Sequence, residues 1–263
     1  MALIETSDGY TLWYDAVGPW DAAGIVFPVR HRGEFAALGT ALAETYRVVR
    51  YKPRRVVGEV EDEPGAGGTW QGPDFTEYPT QMEVADLHAV ADAAGLDGFV
   101  LAGYSGMAAL AGFLAPLSDR TRGLLVGGFP LLADFDYWLG FEEGARAALV
   151  QAGLPDKAGD HHMGHLMFRQ WAARDARDDR AALAALPGPK ILWHGSQDCE
   201  PECRAFDPAG GTAIGRHNHA DEPELRDLGF EVIEVAGHDH IGALAQIDVV
   251  LPQLAEALAG SKW

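Results

Sequence analysis

The feature that most constrains this chain is an alternation. Short apolar runs rich in β-branched residues, GIVFPV (24–29), YRVVRY (46–51), GFVLAG (98–103), RGLLVGGF (122–129), PKILWHG (189–195) and GFEVIEV (229–235), alternate with stretches of helical spacing such as FAALGTALAET, TQMEVADLHAVADAAG and MAALAGFLAPL. Strands buried on both faces read as continuous apolar runs, and a parallel pair needs a long crossover, usually a helix. The pattern therefore predicts an α/β protein with a mostly parallel sheet flanked by helices. At the start, ALIETSDGYTLWYDAVG predicts a hairpin turning at Ser7-Asp8-Gly9.

The alternation is interrupted once. From Pro130 to Pro187 strand runs stop and helical patterns rich in aromatic, Met and His residues take over. Residues 1–129 and 188–263 are thus expected to form the core domain, with 130–187 a helical insertion. The Gly-, Pro- and acid-rich segment 58–79 is expected to be a surface loop. AFDPAGGTAIGRHNHADE is expected to be a second long loop carrying His217 and His219, and IGALAQIDVVLPQLAEALAG a single last helix.

A chain of 263 residues in one domain buries roughly three quarters of its unfolded surface, enough for a core with a cavity. With 48% hydrophobic and 22% charged residues it has globular composition, which excludes disorder. A formal net charge of −19 with no Lys/Arg-rich run argues against nucleic acid and against a membrane surface as partners. The N-terminal stretch lacks a basic segment followed by an apolar one, and nowhere do 18 apolar residues run together, so a soluble, cytoplasmic protein is expected. Cys199 and Cys203 are read as two free thiols, because two ligands do not make a structural zinc site.

Within LAGYSGMAAL (101–110) a buried strand runs through Gly103, Tyr104, Ser105 and Gly106 straight into a helix pattern. A serine hydroxyl is a weak nucleophile and must be held beside a base and aimed at a carbonyl near preorganised N–H donors. A sharp strand-to-helix corner does this, presenting the hydroxyl at its tip and the next N–H at the positive helix end. Gly103 and Gly106 are expected to relieve the crowding of such a turn.

On these residues, and on the order of elements over nearly the whole chain, the sequence resembles the α/β-hydrolase family, with Gly103-Tyr104-Ser105-Gly106 as its nucleophile elbow. It departs from the family pattern G-x-S-x-G at one position, where Met107 stands in place of the second glycine. The resemblance implies an acid and then a histidine, each just past a strand. ILWHGSQDCEPE offers Asp198, and EVIEVAGHDHIGAL offers His238 and His240, of which the G-x-x-H spacing selects His240. The order Ser105, Asp198, His240 is the family order. Taken singly, Asp198 also fits an Asx turn, Asp239 a helix cap, and Ser105 a small turn residue. Should Asp198 not be the acid, Asp134 and Asp136 come next.

The resemblance further implies an oxyanion hole made by the N–H of Gly106 and a second N–H from the loop after GIVFPV. There VRHRGEF replaces the usual His-Gly, and Arg30 is selected, with His31 the alternative. The insertion is expected to cap the site, with Tyr104, Trp138, Met167 and Trp171 as substrate-binding residues. Met163, Met167 and Trp171 recur at four-residue spacing along one helical stripe, and Phe135, Tyr137 and Phe141 lie near in sequence. Such a stripe also fits a plain core. His161 and His165 have i, i+4 spacing, but without a third ligand no metal is expected. His194, at a strand end, is expected to be packed.

Together these features predict a serine hydrolase (esterase, lactonase or thioesterase type) that cleaves a small or medium ester, lactone or thioester through an acyl-enzyme, with no cofactor. Its partner would be a small-molecule acyl substrate, and a homo-oligomer remains open. A C–C bond hydrolase using the same triad and a non-catalytic ligand-binding or receptor protein of this fold are the alternatives.

Overall fold

The computed structural model describes residues 2–55, 80–133, 135–155, 159–174, 176–198, 214–260 and 263, leaving out the side chains of 136, 137, 141, 159–163 and 176–178. The expected loop 58–79 and Cys199 and Cys203 lie outside the described residues. Eight strands form one sheet: β1 (Ala2–Glu5), β2 (Thr11–Val17), β3 (Gly24–Pro28), β4 (Arg47–Tyr51), β5 (Phe99–Tyr104), β6 (Thr121–Gly127), β7 (Lys190–Gly195) and β8 (Glu231–Val235). Their order is β1-β2-β4-β3-β5-β6-β7-β8. The first hairpin, β1 with β2, and the β2–β4 pair are antiparallel, and every later pair is parallel. β3 and β5 are buried at every position, as their unbroken apolar runs require.

Helices α1 (Ala36–Leu42), α2 (Thr80–Ala93) and α3 (Gly106–Leu114) fill the crossovers of the first half. Between β6 and β7 come α4 (Phe135–Gln151), α5 (Gly159–Ala172) and α6 (Ala176–Ala184), with no strand among the described residues. The chain closes with α7 (Ile214–Asp227), α8 (Gly242–Ala245) and α9 (Ile247–Ala259). Strand order reverses around β3, which sits between β4 and β5, so a crevice opens at the carboxyl ends of β3 and β5, where ligands of open α/β sheets bind. Among the described residues no helix is long and apolar enough to cross a membrane.

Two segments differ from the sequence expectation. His217 and His219 lie on α7 and not on a loop. Its Gly, His and Asn content and Pro223 hide the helix, which draws its stability from burying one face through Gly215, Asn218 and Leu225 and little from propensity. The expected single last helix is two, broken at Gln246 with ψ 70°. The Trp193 indole N–H donates to the Ala243 carbonyl at 3.0 Å. In a continuous helix that carbonyl would accept the Ile247 N–H, so the indole takes the place of the next turn.

Just past β4 the chain buries two arginines. Arg54 donates through Nε and Nη2 to the two oxygens of Asp86 on α2, both at 2.5 Å, and through Nη1 to Asp8 in the β1–β2 turn at 2.6 Å. Its guanidinium also lies 4.3 Å from the Tyr10 ring centroid. Arg55 grips Glu83 of α2 in the same two-pronged way. Burial pushes the Asp86 carboxyl up to about 6 against the opposing pull of Arg54, while Arg54 and Thr6 hold Asp8 well below the usual carboxylate range. Arg54 thus ties the first hairpin to α2. Arg54→Met leaves Asp86, whose side chain is 3% exposed, without its counter-charge. It should lower unfolding free energy by about 3–5 kcal/mol, read as a fall in the urea midpoint. An unchanged midpoint would mean that the hairpin and α2 are held together by apolar packing alone.

Candidate active site

The corner at Ser105 is sharp. Ser105 has φ 55° and ψ −129°, one of two non-glycine residues with positive φ among those described. Such a conformation costs about 1–3 kcal/mol and persists only where its surroundings over-determine it. Here the Ser105 N–H donates to Gly127 at the end of β6 (2.8 Å), and the Ser105 carbonyl accepts from the N–H groups of Ala108 and Ala109. The residue is thereby fixed from the sheet side and from the helix side. A Cβ on Gly103 would lie 2.4 Å from the Met107 carbonyl oxygen, so only glycine lets α3 fold back this tightly. A Cβ on Gly106 would meet nothing within 4 Å, and its φ is not positive. The expectation that both glycines relieve the turn therefore holds for Gly103 and not for Gly106. Met107 fits because its backbone, not its side chain, makes the contact, and the side chain is buried in the core.

The turns after β7 and β8 are sewn together. Ser196 N–H donates to Val235, Gln197 N–H to the His238 carbonyl and Gly237 N–H to the Ser196 hydroxyl. Gly195 makes room, since a Cβ there would sit 2.2 Å from the His238 carbonyl oxygen. In this frame His240 Nδ1–H donates to Asp198 Oδ1 at 2.8 Å. The Asp198 side chain is 0% exposed and that of His240 21%. The bond places the proton on Nδ1 and leaves the Nε2 lone pair as a base. The His238 ring turns to its own loop, donating from Nδ1 to the Ala236 carbonyl at 2.8 Å. Asp239 accepts the Gly242 N–H at 2.6 Å and so does act as a cap for α8. Asp134 and the side chain of Asp136 lie outside the described residues.

Tyr104 links the corner to the imidazole. Its hydroxyl donates to the His240 carbonyl at 2.8 Å, its ring lies 5.0 Å from the His240 ring, and Trp193 backs it at 5.3 Å. Gly128, at φ 57°, leaves the space these rings need, because a Cβ there would lie 2.5 Å from Tyr104 Cζ and 2.8 Å from His240 Cε1. Tyr104 is buried against the histidine and supports it. The tyrosine's supporting role, and Gly128 with it, had no local sequence signal.

As the first residue of α3, Gly106 has an N–H with no partner inside the helix. On the other side, β3 and β5 pair as Gly24 with Phe99, Ile25 with Val100 and Val26 with Leu101. Continued, that register sets Arg30 level with Ser105. The Arg30 N–H, however, is already engaged by Glu34 Oε2 at 2.5 Å, while Arg30 Nε and Nη2 donate to Glu34 Oε1 at 3.0 and 2.8 Å. As an oxyanion donor Arg30 is thus occupied in this structure. The alternative, His31, is exposed and accepts the Glu34 N–H on its carbonyl. Glu34 was missed by sequence reading, although its i, i+4 spacing from Arg30 was a usable signal.

Trp138, Met167 and Trp171 are buried in an aromatic cluster. Trp138 stacks on Phe129 (4.7 Å) and Phe168 (5.5 Å), and Trp171 packs on Phe113 and Phe135 and reaches Gly112 of α3. These contacts fasten the insertion to the core. The side chains of Tyr137, Phe141, His161 and Met163 lie outside the described residues. His165 faces Glu143 at 3.1 Å, and the described residues hold no group of three or more metal-ligating side chains. His194 is buried, with Nδ1 near the Gly195 carbonyl.

No protein-family model and no curated protein sequence matches the chain. Solved structures do. An α/β hydrolase from Sphaerobacter thermophilus is 19% identical, covers 97% of this chain and 99% of its own, and has a TM-score of 0.57. The enol-lactonase from Burkholderia xenovorans is 20% identical over 98% of this chain and 100% of its own, with a TM-score of 0.59. A thermophilic esterase from Thermogutta terrifontis is 17% identical over 98% of each chain, with a TM-score of 0.61. With a largely parallel eight-stranded sheet, a strained serine corner after β5 and a shared fold that covers nearly the whole of each chain, the chain has the α/β-hydrolase fold.

Proposed function

We propose that the chain is a serine hydrolase acting on a small or medium carboxylic ester, lactone or thioester. The observation that carries this reading is the buried Asp198 carboxylate accepting the His240 Nδ1–H, on loops that meet at the same sheet edge as the strained Ser105 corner. His240 Nε2 takes the Ser105 proton as Oγ attacks the substrate carbonyl, and Asp198 stabilises the imidazolium that results. The tetrahedral oxyanion is met by the Gly106 N–H at the positive end of α3. The imidazolium then gives its proton to the leaving oxygen or sulfur, the acyl group stays on Ser105, and water activated by His240 releases it as the acid. The likeness in fold to an enol-lactonase and an esterase accords with this chemistry.

An organophosphonate is expected to add once to the intact protein, with Ser105→Ala abolishing the adduct. An adduct that persists in Ser105→Ala removes Ser105 as nucleophile, and a protein that neither reacts nor turns over activated esters is a binding protein of this fold. Asp198→Asn should keep the melting curve and lower kcat on an activated ester by roughly two to four orders of magnitude. Activity within a few-fold of wild type would assign the acid elsewhere. His240→Ala should remove nearly all turnover, whereas His238→Ala should alter KM or stability at most, because its ring is bonded to its own loop. The reverse pattern would make His238 the base.

A further inference from the structure

Glu34 stands in the loop between β3 and α1, and its carboxylate is held by three donors of a single residue. Arg30 supplies its backbone N–H to Oε2 and its Nε and Nη2 to Oε1, and the Glu34 side chain is only 7% exposed. The loop is braced to keep this arrangement. Arg50 Nη1 donates to the carbonyls of Arg32 and Glu34, and Phe35 adopts φ 57° while its ring packs on Phe27 at 5.2 Å. A left-handed backbone is a genuine outlier for a residue as bulky as Phe. An ion pair between Arg30 and Glu34 needs only the guanidinium. The backbone N–H is recruited as well, and it belongs to the loop that leaves β3, the neighbour of β5, which ends at Tyr104 beside Ser105; the β3–β5 register, paired as far as Val26 with Leu101, would set Arg30 level with Ser105 if continued.

We propose that Glu34 is the resting occupant of the second oxyanion donor, a built-in carboxylate gate that must withdraw from the Arg30 N–H before a substrate oxyanion can use it. The inference rests on the reading of Ser105 as nucleophile. The hydrogen bond itself makes the gate restrictive. The N–H is spent on a charged acceptor, a bond roughly twice as strong as one to a neutral carbonyl. Glu34 therefore slows attack on simple acyl groups and sets a threshold that a substrate must overcome by displacing it.

The test is the second-order rate constant for phosphonylation of Ser105 by an alkyl fluorophosphonate, followed by intact mass in wild type, Glu34→Ala and Glu34→Gln, with a melting curve for each. The phosphoryl oxygen enters the oxyanion hole, so the rate reads whether that hole is free. Loss of one oxyanion donor costs about 10²–10³ in rate. Glu34→Ala, which frees the N–H, should react at least about 10-fold faster than wild type, and Glu34→Gln, which keeps a neutral acceptor, should fall between the two. If Glu34→Ala fails to fold, a faster Glu34→Gln carries the proposal and an equal or slower one overturns it. Equal or slower labelling at Ser105 in folded variants overturns the gate and leaves the hydrolase reading intact, with Glu34 a brace for its loop. Absence of labelling in all three folded proteins overturns both.

Discussion

Where α3 doubles back over β5, the Met107 carbonyl comes so near Gly103 that no side chain fits between them. That close approach of backbone to backbone sets everything at the site. It forces the chain to reverse within one residue, which puts Ser105 at positive φ, and it aims the first N–H groups of α3 toward the crevice at the sheet's switch point. The strain at the serine is balanced by the ladder bond to Gly127 and by the helix that begins on its carbonyl. A looser turn would give both up together.

The acidic balance of the chain acquires a second meaning once the arginines are located. Arg50 clasps Asp15, Arg54 clasps Asp86 and Asp8, Arg55 clasps Glu83, and Arg30 clasps Glu34. With 20 basic residues against 39 acidic ones, these cations stand at or just beyond the carboxyl ends of β3 and β4, Arg50, Arg54 and Arg55 inside the fold and Arg30 half exposed. Removing one partner of such a pair leaves a charge stranded in low dielectric, which is why these contacts constrain the fold even where their net contribution is small. Ser105, Asp198 and His240 follow the carboxyl ends of β5, β7 and β8, so the electrostatics on this side of the sheet are set by structural pairs as well.

Sheet, crossover helices and the helices between β6 and β7 were legible because burial on both faces imposes continuous apolar runs, and GIVFPV and GFVLAG, too short for a helix, are buried at every strand position. The serine corner and the acid and histidine turns were legible for a related reason: each stands immediately after such a run. What lay beyond reach depends on contacts across the sheet. The split of the last helix follows from an indole on β7, α7 is stabilised by a buried face that Pro223 disguises, and the engagement of Arg30 by Glu34 follows from a loop held in place by Arg50 and Phe27. Tyr104 shows the limit most clearly. Its place beside Ser105 says nothing of the bond from its hydroxyl to the His240 carbonyl or of its ring against the imidazole, which a residue 136 positions on supplies.

That inward ring carries an evolutionary implication. The tyrosine hydroxyl carries the carbonyl of the histidine, and the bare α-carbon of Gly128 accommodates the tyrosine ring. Positions 104, 128 and 240 are sterically coupled, although they follow from three different strands, β5, β6 and β8. A lineage that acquired any side chain at 128 would have to shrink the residue at 104 and move the histidine ring in the same step, because the added carbon would press on both. Drift in this part of the molecule is expected to proceed by paired replacements, with single changes purged.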